Sequence, residues 1–88
     1  MNLDQKIIVI TSAVRTAIGT LNGSLKDMRG HDLGSIVVKE SMKKSKLNSN
    51  DIDELIMGQV LTSATGQNPA RQAAIQAGLT KEKTAYVI

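Results

Sequence analysis

Hydrophobic and polar positions follow two different periods along this chain. Ile7-Ile8-Val9-Ile10 is an unbroken β-branched run without polar alternation. It predicts a strand covered on both faces, as in a parallel sheet. From Asp32 to Ser45 the spacing becomes helical. At about 100° per residue, Leu33, Val37, Val38 and Met42 share a face with Gly34, Ser41 and Ser45, while Ser35, Lys39, Lys43 and Lys46 lie opposite. This predicts a helix with a buried side and a wet side. Asp32 in its first turn and Lys43, Lys44 and Lys46 at its end complement the helix dipole. Glu54 to Leu61 predicts a second, mostly buried strand in which Gly58 marks a bulge or a close backbone approach. A third apolar run, Thr84-Ala85-Tyr86-Val87-Ile88, closes the chain.

The most sharply punctuated segment is Gly66-Gln67-Asn68-Pro69-Ala70-Arg71-Gln72-Ala73-Ala74-Ile75-Gln76-Ala77-Gly78. Asn68 suits an N-cap, Pro69 the first helical position and Gly78 the stop. Ala70, Ala73, Ala74 and Ala77 fall at helical spacing and leave one flank smooth enough for another backbone to approach closely. A cation in a first turn opposes the helix dipole, so Arg71 is expected to have a carboxylate or carbonyl partner.

The polar stretches between these elements are connections. Leu47 to Asp53 is rich in turn-forming side chains. Gly19 and Gly23 punctuate a surface loop: their spacing fits neither phosphate-binding glycine pattern. The resulting order, β-α-β-α-β, implies an α/β unit with parallel strands and right-handed crossovers. Because a buried strand is a poor place for a domain to finish, the end at Ile88 is expected to be a truncation.

Composition narrows the function. The chain has 88 residues, 41% of them hydrophobic, but no Phe or Trp and a single Tyr, so its faces are expected to be buried against something the chain does not contain. Its net charge of +3 comes from dispersed lysines. Without aromatic stacking positions or a dense basic stripe, it does not suit nucleic acid. The absence of cysteine excludes disulfides and thiolate metal sites, and a single histidine, His31, excludes a histidine-cluster site. His31 itself, with no acid or nucleophile identifiable nearby, is expected at the surface or at a cap. No apolar run is long enough for an export signal or a membrane span, so a cytoplasmic protein is expected.

With these residues in hand, the chain resembles the N-terminal part of the thiolases, the acetyl-CoA acetyltransferase family. The segment Val9-Ile10-Thr11-Ser12-Ala13-Val14-Arg15-Thr16-Ala17-Ile18-Gly19 is similar to the family's first strand and SAxRTPIG segment, with Ala17 in the usual place of proline. Gly23-Ser24-Leu25-Lys26-Asp27, Leu33-Gly34, Ile56-Met57-Gly58-Gln59-Val60-Leu61 and, most specifically, Gly66-Gln67-Asn68-Pro69-Ala70-Arg71-Gln72-Ala73-Ala74 continue the similarity. The resemblance implies the first three strands and two helices of the N-terminal half of a layered αβαβα fold, making residues 1–88 a partial domain. It also implies acetyl transfer between coenzyme A thioesters, either condensing two acetyl-CoA molecules or cleaving 3-ketoacyl-CoA.

In that family a cysteine at a helix N-terminus attacks the thioester, a histidine activates it, a second cysteine moves a proton, and buried donors stabilise the oxyanion. None of those groups carries over to these residues. The chain alone is therefore expected to be inactive and to bind no cofactor, coenzyme A thioesters being substrates of the complete enzyme. By the same resemblance Asn68 and Arg71 belong to a loop near the active-site region and the subunit contact. Ala85, Tyr86 and Val87 belong to a strand that pairs with its counterpart in a homodimer or tetramer. Two alternatives stay open from the residues themselves: a free-standing flavodoxin-like binding or regulatory module, and a gene remnant or cut piece that does not fold stably alone.

Overall fold

The first helix, α1, is set by its own first turn. In the computed structural model, which describes residues 6–88, it runs Gly30–Ser45, starting two residues before the expected Asp32. The reason is local: Asp32 occupies the third helical position, where its Oδ2 accepts the Arg29 backbone N–H at 3.0 Å. At the other end Lys46 turns left-handed (φ 58°), and the Lys46 and Leu47 N–H groups close the carbonyls of Lys43 and Met42. Leu33, Val37, Val38 and Met42 are half-buried and Lys39, Lys43 and Lys46 exposed, as the periodicity predicts. A short 3-10 turn, Ser49–Asp51, leads into strand β1, Glu54–Met57.

The second helix, α2, spans Pro69–Gln76 with Asn68 as N-cap and Pro69 first. Gly78 takes φ +94°, and the Gly78 and Leu79 N–H groups bond the carbonyls of Ile75 and Ala74. Strand β2, Thr84–Val87, pairs parallel with β1 in the register Glu54↔Thr84 to Met57↔Val87. Parallel neighbours need a crossover, and α2 supplies it.

The core is the smooth flank of α2. Ala70, Ala73, Ala74 and Ala77 are at most 5% exposed, and Leu79 joins them. Gly34 faces this flank from α1: a Cβ added there would lie 3.3 Å from the Ala73 Cβ and 2.8 Å from the Met57 methyl. The two helices touch closely because neither carries bulk at that point.

Three strand expectations change. Ile7–Ile10 forms no strand: it has no ladder partner among the described residues, and its side chains are 65–97% exposed. An apolar run states a demand for burial, whereas a strand also requires a neighbour to take its N–H and C=O groups. The chain is tied to α1 just beyond it, through Thr11 to Ser45 at 2.8 Å and Ser12 to Ser41. The second strand ends at Met57, so Gly58 lies past it and Val60 and Leu61 stand exposed. Neither strand is mostly buried. Leu55, Met57, Ala85 and Val87 are half-buried on the inner face while Glu54, Ile56, Thr84 and Tyr86 face outward, because the helices cover only one side of the sheet.

Filling the helix contact is expected to be costly. Ala73→Leu should lower stability by ~1–3 kcal/mol through overpacking, whereas Lys39→Ala on the wet face should stay within ~0.5 kcal/mol. Urea unfolding followed by circular dichroism measures both; equal midpoints for the two variants would contradict the close packing.

Candidate functional site

The polar residues at the mouth of α2 converge on the segment entering β2. Asn68 holds a left-handed backbone (φ 44°, ψ 72°), a conformation that asparagine tolerates better than most residues. Its Oδ1 accepts the Arg71 N–H at 3.1 Å and its Nδ2 donates to the Ala85 carbonyl at 3.1 Å. The Arg71 guanidinium donates to the carbonyls of Lys83 at 3.0 Å and Lys81 at 2.9 Å. The expected partner of Arg71 is thus a pair of backbone carbonyls in the turn before β2. Gln72 completes the mouth, its Nε2 donating to the carbonyls of Thr65 and Gln67.

The loop ahead of this helix is tightly wound. Ser63 and Ala64 both have positive φ, and the Thr65 N–H bonds the Thr62 carbonyl at 3.1 Å, the pattern of a type I′ turn built without glycine. Of the sequence-predicted positions, Asn68 meets both Arg71 and Ala85 directly, while the Arg71 side chain reaches the carbonyls of Lys81 and Lys83 instead. Tyr86 is 40% exposed on the outer face of the sheet, and Val87 is half-buried on the inner one.

His31 corrects its expectation. It lies in the first turn of α1 and is only 4% exposed, because the end of α2 packs over it. Its Nδ1 is 2.7 Å from Gln76 Oε1, while Gln76 Nε2 donates to Asp32 Oδ1 at 2.9 Å. That second bond orients the Gln76 amide, so His31 Nδ1 carries the donated proton. Nothing local in the sequence couples His31 to a glutamine 45 residues away; only the helix contact does. The Gln76 amide, followed by the Arg29 N–H, holds the Asp32 carboxyl below its ordinary value.

This site holds backbone in place; it has no cysteine, and its only imidazole is engaged between helices. Among the described residues no group of His, Cys, Asp or Glu side chains gathers to hold a metal ion, and no helix is long and apolar enough to cross a membrane.

Residues 8–88 match the family model described as thiolase, N-terminal domain. The chain belongs to the thiolase family. This thiolase sequence is 48% identical over 79 residues to an acetyl-CoA acetyltransferase of Rhizobium meliloti, covering 90% of this chain and 20% of that protein. It is 47% identical over 83 residues to an acetyl-CoA acetyltransferase of Escherichia coli, covering 94% and 21%. Its structure superposes on the crystal structure of the Acat5 thiolase from Ascaris suum in complex with coenzyme A with a TM-score of 0.87 at 42% identity, covering 90% of this chain and 21% of that one. The thiolase chain thus spans about a fifth of the length of the curated relatives it matches. The expected α/β class and thiolase-like fold hold, and the flavodoxin-like module loses its support.

Because Asp32 is more acidic folded than unfolded, its contribution is present above the unfolded value of 3.8 and is lost as pH falls through the lowered folded value. Asp32→Asn should therefore lose less stability than the parent on acidification through that range. Urea midpoints measured across it give the comparison, and identical acid-side losses would remove Asp32 from the account.

Proposed function

We propose that residues 1–88 are the N-terminal portion of an acetyl-CoA C-acetyltransferase and are inactive by themselves. The complete enzyme transfers acetyl groups between coenzyme A thioesters, condensing two acetyl-CoA molecules or cleaving 3-ketoacyl-CoA by thiolysis. The observation that carries this reading is the 47% identity over 83 residues to the Escherichia coli acetyl-CoA acetyltransferase. Inactivity of the chain alone follows from its chemistry. Acyl transfer of this kind passes through a thiolate, and these residues include no cysteine to provide one.

Within that enzyme the Asn68 and Arg71 loop supports the active-site region from the mouth of α2. Ala85, Tyr86 and Val87 lie on the strand that pairs across the subunit contact of a homodimer or tetramer. The chain itself binds no cofactor, and the acyl-CoA substrate is held only by the complete protein. The cytoplasm is its compartment, a reading supported by the rat and mouse relatives named as cytosolic acetyl-CoA acetyltransferases.

Fusion separates the parts of this proposal. Residues 1–88 joined to the Escherichia coli relative in place of its matching stretch should restore acetoacetyl-CoA thiolysis over the relative lacking that stretch, while the isolated chain should match buffer. Turnover by the isolated chain, or a folded fusion without activity, would overturn it.

A further inference from the structure

We propose that Asn68 is a positioning residue that ties α2 to the open edge of β2 through two separable bonds of one carboxamide. The ladder shows which edge is open. Ile88 donates its N–H to the Met57 carbonyl at 2.8 Å and accepts the Gln59 N–H at 3.3 Å, so both of its backbone groups face β1. Alternate residues of a parallel strand face the same neighbour, which places Tyr86 with Ile88 and turns the backbone groups of Ala85 and Val87 toward the other edge. No strand of the described residues covers that edge.

The Ala85 carbonyl on this edge is taken by Asn68 Nδ2 at 3.1 Å, while Oδ1 of the same side chain caps α2 through the Arg71 N–H. The left-handed backbone at Asn68 accompanies this double engagement, and capping alone does not require it, since an N-cap ordinarily has extended backbone. Arg71 reinforces the tether one turn along by holding the carbonyls of Lys81 and Lys83, immediately before β2. The start and middle of β2 therefore move with the first turn of α2.

One consequence concerns partners. With the Ala85 carbonyl already engaged, the free acceptors that β2 offers to another strand begin at Val87, which fixes where added pairing can start. That consequence rests on the subunit contact proposed for this strand. The tether itself does not, and its test needs neither activity nor a dimer.

Asn68→Asp keeps an oxygen to cap α2 but removes the donor to Ala85. In backbone amide exchange of the 88-residue chain by NMR, this variant should accelerate exchange at Ile88 about tenfold while leaving Arg71 within about threefold of the parent. Asn68→Ala should accelerate both amides. Unchanged exchange at Ile88 in Asn68→Asp, equal acceleration at both amides in that variant, or an unprotected Ile88 in the parent would each overturn the tether.

Discussion

The close approach of α1 and α2 is the contact on which the other contacts depend. It exists because Gly34 presents no side chain and Ala73 only a methyl group, with the Met57 side chain reaching the same point from β1. A core made of alanines removes little area from water per residue, so close fit has to replace bulk. Aromatic side chains are not there to compensate, since Tyr86 is the only one and lies half out of the sheet. The polar cluster of His31, Gln76 and Asp32 sits at the same contact, joining the start of α1 to the end of α2. It gives the buried His31 Nδ1 a partner, though the buried Nε2 of the same ring has none among the described residues, and adds a directional constraint that the smooth apolar flank lacks.

At its opposite end α2 grips the sheet through Asn68 and Arg71. The helix is thus held at both ends by different chemistry: side-chain amide and imidazole at its C-terminus, backbone carbonyls of the β2 segment at its N-terminus. This explains how an eight-residue helix, too short to persist alone in water, serves as the organising element of the unit. It also explains why a cation is tolerated in its first turn. Two carbonyls receive the Arg71 guanidinium and offset its unfavourable position along the dipole.

Large apolar side chains remain outside this arrangement. Ile8, Ile10, Val60 and Leu61 are at least 80% exposed, Ile56 and Tyr86 occupy the bare face of the sheet, and no further strand of the described residues covers either sheet edge. Surfaces of this kind ordinarily mark contacts with further protein. They accord with a chain that represents about a fifth of the length of its thiolase relatives.

Both helices were legible in the residues because their signals are local: a 3.6-residue apolar period for α1, and the Asn68, Pro69 and Gly78 punctuation for α2. The alanine flank announced close packing, the charge of Arg71 announced a partner, and the thiolase resemblance rested on an uninterrupted string of residues. Strand extent was less legible. Ile7–Ile10 has the right composition and no neighbour to bond, and Val60 and Leu61 have no ladder to extend, since strands are properties of pairs of segments. His31 read as a surface or capping residue because its partner lies 45 positions away, brought near only by the helix contact. The sequence alone determined which segments would be helical and which faces needed cover, because those follow from nearest-neighbour spacing and backbone preference. Tertiary structure alone decided which carbonyls meet Asn68 and Arg71 and which apolar runs become strands, because hydrogen bonds between distant segments exist only after the chain has brought them together.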